Sequence, residues 1–195
     1  LEHSPAAREL VRRTGAQTFG MGMHRGDAHE TGESLEEGAD FDFVPDVHVR
    51  DGQIIEGDNF SIECLHTPGH ARDHVCYALT SERALFSGDH VMGWSTSVVA
   101  PPDGDMGDYL RSLDRLLARD DTRYYPTHGA PIDAPHELVA QFVKHRRQRE
   151  QQILDCLAEG TRVIADMVPL MYLGVPKILH AAAAMSVYAH VLHLL

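Results

Sequence analysis

A chain of 195 residues can bury one substantial core, or one domain with a small appendage. Hydrophobic residues make up 43% and charged residues 24%, an ordinary balance for a globular protein in water. The formal net charge of −12 disfavours non-specific binding to nucleic acid or acidic membranes, although a cleft around bound cations can still be locally positive. No apolar run approaches the roughly 18–20 residues that span a bilayer, so no membrane partner is expected. Cys64, Cys76 and Cys156 lie far apart and form no CxxC pair, and their odd number argues against a disulfide framework. A reducing, cytoplasmic setting is expected. The chain opens on Leu1-Glu2-His3, without methionine or a signal pattern, so the natural start is expected to lie upstream.

In chain order, Ser4-Pro5 caps a helix that Gly15 ends. A short strand covers 17–20. Residues 21–46 are rich in glycine and acid and read as a long excursion. Asp51-Gly52 reads as a hairpin turn joining strands at 46–50 and 53–56. Residues 60–65 alternate as a half-buried strand, and further strands follow at 74–79 and 84–87. Leu110, Leu113, Leu116 and Leu117 share one helical face. Tyr124-Tyr125 is a short strand, and helices are predicted over 135–158, 162–171 and 177–195. The chain divides near residue 135, with strands and loops before it and a helical appendage after it.

Three polar, glycine-bearing turns each follow a predicted strand: Thr67-Pro68-Gly69-His70, Ser87-Gly88-Asp89-His90 and Pro126-Thr127-His128-Gly129. Glu2-His3 precedes the first helix. Imidazole and carboxylate suit a borderline cation such as zinc, and a carboxylate can bridge two ions about 3.5–4 Å apart. One such turn is weak evidence, and three in order are much stronger. No G-x-S-x-G elbow and no G-x-x-x-x-G-K-[ST] loop is present.

These turns resemble the metal motifs of metallo-β-lactamase-fold hydrolases, in which His-x-His-x-Asp-His is followed by a lone His, a bridging Asp and a last His. Leu1-Glu2-His3 resembles the tail of the first motif, His70 the lone His, Asp89 the bridging Asp and His128 the last His. Glu2 stands where the family has Asp, and the motif's first two histidines would fall before Leu1. The resemblance implies an α/β fold, an αββα sandwich of two mixed sheets flanked by helices. It also implies catalysis by a metal-bound hydroxide, with His70, Asp89 and His128 as the catalytic set. One metal would use the two upstream histidines, His70 and Asp89; the other would use Glu2, His3, Asp89 and His128. Two Zn2+ per chain are expected if the upstream histidines are present, with Fe or Mn as other occupants.

Gly93-Trp94-Ser95-Thr96-Ser97, Pro101-Pro102-Asp103-Gly104-Asp105, Asp108-Tyr109-Leu110 and the run from His145 to Ile153 resemble the β-lactamase-like protein branch, which includes RNA-cleaving enzymes. The expected domains are 1–134, a catalytic domain lacking its N-terminal part, and 135–195, a truncated winged-helix-like region. The leading substrate is a small ester, thioester or lactone. The alternatives are single-stranded RNA, or a non-catalytic binding protein with a degraded metal site. A homodimer is compatible with the sequence. His66 reads as a packed, hydrogen-bonded residue rather than a ligand; His74 and His90 lie near the predicted site and read as structural residues, with a role supporting the ligands from behind as the alternative. His24, His29, His48, His136, His180, His190 and His193 read as surface or helix-face residues, and Lys144–Arg149 as a solvated helix face. Trp94 reads equally well as a cleft wall or a core cover.

Overall fold

The computed structural model describes residues 5–22 and 44–195. The expectations for Glu2, His3, His24 and His29 lie outside the described residues. Helix α1 (Pro5–Thr14) is followed by two-residue strands β1 (Phe19–Gly20) and β2 (Val47–His48), which pair in parallel. Five strands then form one sheet: β3 (Ile54–Glu56), β4 (Ser61–His66), β5 (Val75–Leu79), β6 (Ala84–Gly88) and β7 (Arg123–Pro126). Helix α2 (Met106–Leu117) connects β6 to β7, and α3 (Pro135–Ala158), α4 (Ile164–Met171) and α5 (His180–Leu194) follow. Among the described residues no helix is long and apolar enough to cross a membrane.

Strand direction is the feature that matters most for the site. The β3–β4, β4–β5 and β5–β6 pairs are antiparallel, and β6–β7 is parallel. Strands β4, β6 and β7 therefore run the same way and end at the same edge of the sheet. The parallel step needs a crossover, which α2 supplies.

One face of the sheet is covered by helices. Leu65, Cys76, Leu85 and Tyr124 share a core with Met106, Tyr109, Leu113 and Leu116 of α2, and with Val139, Phe142 and Val143 of α3. The buried α2 positions follow the i, i+3, i+7, i+10 spacing of one helical face. Asp105 caps α2 by accepting from the Asp108 N–H at 2.7 Å. On the other face, Phe86 and Tyr125 stack with centroids 5.6 Å apart, and the Tyr77 hydroxyl donates to the Phe19 carbonyl at 3.2 Å. A second core joins Ile153 and Cys156 of α3 to Met167, Val168 and Met171 of α4 and to Ala183 and Val187 of α5. Helix α3 thus belongs to both cores.

Two expectations need correction. Asp51-Gly52 does turn the chain, with the Gln53 N–H on the Arg50 carbonyl at 3.0 Å. The flanking segments do not pair with each other, because β2 pairs with β1 and β3 pairs with β4. The Asp51 carboxylate is instead held by the His66 N–H at 2.8 Å and by Arg115 at 2.7 Å. His190 is fully buried rather than on a surface. It faces Glu150 at 3.4 Å, whose carboxyl burial pushes up.

Gly88 ends β6 at φ +55, and a Cβ there would lie 2.5 Å from His74 Nε2. Both the backbone and the neighbouring ring therefore require glycine. Gly88→Ala is expected to lower the unfolding free energy by ~2–3 kcal/mol, read by urea denaturation. A loss below ~0.5 kcal/mol would show that the His74 ring moves aside without cost.

Burial, reinforced by Arg146, His145, His193 and Arg149, holds the His190 imidazole down at about 3. It is neutral when folded, whereas in the unfolded chain it gains a proton below about pH 6.5. Its contribution is therefore intact above about pH 6.5 and is lost as the pH falls towards about 3, by up to ~1.4 kcal/mol per pH unit. His190→Leu should flatten the dependence of unfolding free energy on pH between about 6.5 and 4.5. An unchanged slope in urea titrations across that range would sink this assignment.

Candidate metal centre

The turns that leave β4, β6 and β7 meet at one sheet edge because those strands share a direction. They bring together His70, Asp89 and His128. Asp89 is 9% exposed, and its carboxylate lies between the two imidazoles. His70 Nε2 lies 4.0 Å from Oδ2, and His128 Nε2 lies 3.7 Å from Oδ1. Each imidazole thus faces its own carboxylate oxygen.

These separations exceed the roughly 2.7–3.2 Å of a direct hydrogen bond. Two bonds of about 2.0–2.2 Å at a tetrahedral angle place their donor atoms roughly 3.3–3.6 Å apart, so each pair needs only a small closing to share an ion. Two imidazoles and a two-oxygen carboxylate are also the donor set a borderline cation accepts. The residues present therefore fit divalent metal binding as two half-sites sharing Asp89. Among the described residues, no group of three or more His, Cys, Asp or Glu side chains is placed to hold one metal ion, so each half-site has two ligands. Glu2 and His3, expected to contribute, lie outside the described residues.

The ring of His70 is oriented from behind, with Nδ1 on the Val98 carbonyl at 2.8 Å and Nε2 towards Asp89. The His128 turn is fixed by the Gly93 N–H, which donates to the His128 carbonyl at 3.0 Å. Gly129, at φ +96, comes so close that a Cβ would lie 2.8 Å from Gly93 Cα. Trp94 is 74% exposed and stacks on His128, with centroids 6.1 Å apart and planes inclined by 22°. It stands at the mouth of the site rather than over the core.

His74 has a larger role than its sequence position suggests. Its Nε2 accepts the Asp89 backbone N–H at 3.2 Å. A neutral ring then carries its proton on Nδ1, which donates to Thr67 Oγ1 at 2.8 Å. The Thr67 hydroxyl in turn donates to Cys76 Sγ at 3.2 Å, and that thiol donates to the Ser87 carbonyl at 3.5 Å. This chain of donors fixes the backbone of Asp89 from beneath. Burial pushes the Cys76 thiol up to about 12, so it remains an S–H donor. His90 is fully buried against the Tyr109 ring at 4.7 Å, and burial pushes its imidazole well below the usual range.

The remaining expectations divide. His66 is packed and hydrogen-bonded, with Nε2 on the Arg72 carbonyl at 2.9 Å. The Lys144–Arg149 run is not a uniformly solvated face. Lys144 and Arg147 are exposed, but Arg146 is buried and Arg149 lies against the Tyr172 ring at 4.1 Å. The sequence does carry a signal for Arg146, since it falls in register with the buried α3 positions Val139, Phe142, Val143 and Ile153.

Comparison with known proteins agrees with this geometry. The Metallo-beta-lactamase superfamily profile matches residues 2–128, a span that ends on His128. A beta-lactamase-like protein 2 homolog of Caenorhabditis elegans is 36% identical over 141 residues, covering 72% of this chain and 46% of that protein. An atrochrysone carboxyl ACP thioesterase of Aspergillus chevalieri is 37% identical over 112 residues, covering 57% of this chain and 35% of the thioesterase. A metallo-beta-lactamase family protein of known structure, from Thermus thermophilus, superposes with a TM-score of 0.65 at 25% identity, covering 76% of this chain and 48% of that one. The chain spans less than half the length of the curated relatives it matches. The three turns, their convergence on Asp89 and the matched profile lead to one conclusion: the chain belongs to the metallo-beta-lactamase superfamily, and within it resembles the beta-lactamase-like proteins.

Proposed function

We propose that the protein is a metal-dependent hydrolase acting on a small acyl substrate, with a thioester as the leading class. The observation that carries this reading is the Asp89 carboxylate, with one oxygen facing His70 Nε2 at 4.0 Å and the other facing His128 Nε2 at 3.7 Å. A divalent cation bound there supplies positive charge that polarises a carbonyl and acidifies water. His70 and Asp89 would hold one ion, and Asp89, His128, His3 and Glu2 the other. Zinc is the default for this donor set, with iron or manganese as alternatives. The Val98 carbonyl fixes the His70 ring, and His74 fixes the Asp89 backbone, so both donors are oriented before a ligand arrives. Trp94 offers an exposed apolar wall beside His128 for the acyl part of a substrate.

The thioester preference is supported by the thioesterase among the relatives and by the net charge of −12, which repels polyanions. The single-stranded RNA reading draws less support from the arginine run than its sequence suggests, because Arg146 and Arg149 turn inward.

The test is elemental analysis of the zinc-supplemented protein together with hydrolysis of an acyl thioester, before and after a chelator. Bound zinc, chelator-sensitive turnover and its recovery on zinc return are expected. His70→Ala and His128→Ala should each lower turnover by at least about 100-fold and reduce metal content. Protein that stays metal-free and inactive after zinc supplementation would refute the reading and favour a non-catalytic binding role, whereas turnover that ignores the chelator would refute its metal dependence.

A further inference from the structure

Ser97 and its neighbours lie close in space to all three candidate ligands. The Gly93 N–H donates to the His128 carbonyl at 3.0 Å, the Ser97 hydroxyl donates to the Asp89 carbonyl, and the Val98 carbonyl receives His70 Nδ1 at 2.8 Å. One segment, 93–98, thus touches His70, Asp89 and His128. What holds that segment comes from outside the sheet. Arg146, on α3 and 4% exposed, donates from its guanidinium to the Ser97 carbonyl. Its Cζ lies 5.3 Å from the Tyr109 ring centroid. The Tyr109 hydroxyl donates to the His90 carbonyl at 3.1 Å. Arg146 therefore reaches the backbone around Asp89 by two routes, through Ser97 and through Tyr109.

We propose that Arg146 is the positioning residue of the metal centre, setting the relative placement of His70, Asp89 and His128 through the 93–98 segment. The inference rests on the metal reading given above. Among the described residues, Arg146 makes no ion pair with a carboxylate; its partners are the Ser97 carbonyl and the Tyr109 ring face. A buried guanidinium held this way is a poor source of stability, because desolvation offsets much of what its contacts return. An apolar side chain of similar length fills the same space without that cost. What it cannot do is hold the Ser97 carbonyl. The expected signature of Arg146 is thus an effect on metal binding out of proportion to its effect on stability.

The experiment measures Co2+ affinity by calorimetry, the visible absorption of the Co2+-loaded protein and the thermal midpoint, for the wild type and for Arg146→Met, Arg146→Lys, Ser97→Ala and Arg149→Met. Arg149 is the control, since it sits on the same helix, packs on Tyr172 and donates to the Met171 carbonyl, away from the 93–98 segment. Arg146→Met is expected to keep the fold, to weaken Co2+ binding by about 10–100-fold and to alter the absorption bands. Ser97→Ala should do the same to a lesser degree. Arg146→Lys should recover part of the affinity, and Arg149→Met should leave affinity and spectrum as in the wild type. If Arg146→Met does not fold, Ser97→Ala decides, because its removed hydroxyl lies in the segment itself. Wild-type affinity and spectrum in the folded Arg146→Met or in Ser97→Ala overturn this inference alone. A wild-type protein that binds no Co2+ overturns the metal reading and this inference with it.

Discussion

Taking the Asp89 carboxylate out of water is costly unless its charge is met by donors or cations, and the architecture around it can be read as the answer to that cost. Strands β4, β6 and β7 share a direction, so their terminal turns deliver imidazoles to opposite sides of the carboxylate. The main chain of Asp89 is held on both sides, its N–H by His74 and its carbonyl by Ser97. Gly88 is required because His74 packs directly over it. A single charged group in a fixed place thus accounts for the turn, the ring beneath it and the segment above it.

Much of this is legible in the sequence, and the reasons for the remainder are physical. The three glycine-bearing turns after strands are readable because glycine, a small polar cap and a ligand must be adjacent in the chain to make such a turn. Strands 61–66 and 84–88 and helix 135–158 follow from periodicity and capping. The hairpin expected at Asp51-Gly52 fails because a turn signal specifies a change of direction but not which strands then pair. Here the Asp51 side chain is engaged by His66 and Arg115, which are distant in sequence. A supporting role for His74 is only an alternative in the sequence for a similar reason, since its partners Thr67 and Asp89 come together only when the sheet forms. Arg146 is masked by composition. In a run of basic residues, only its register with the apolar positions of α3 separates it from exposed neighbours such as Lys144 and Arg147.

The C-terminal helices are more closely tied to the site than a linear reading of the chain suggests. Helix α3 contributes Val139, Phe142 and Val143 to the core beneath the sheet, and Ile153 and Cys156 to the core shared with α4 and α5. Arg146 lies between these two stretches. Displacement of the helix would therefore be felt at the loop beside Asp89 through a rigid, densely packed path, in keeping with the way packed interiors transmit strain.

The buried thiol of Cys76 has a consequence for how the protein meets oxidants. Peroxides and alkylating agents attack the thiolate, and a group held up at about 12 offers almost none near neutrality. Cys76 is also sealed beneath the sheet, and it is engaged on one side by Thr67 and on the other by the Ser87 carbonyl. The sulfur under the candidate active site is thus chemically silent while the sheet is closed. It becomes reactive only when the core between the sheet and helices α2 and α3 opens, which makes its labelling rate a clock for opening of the structure that holds Asp89.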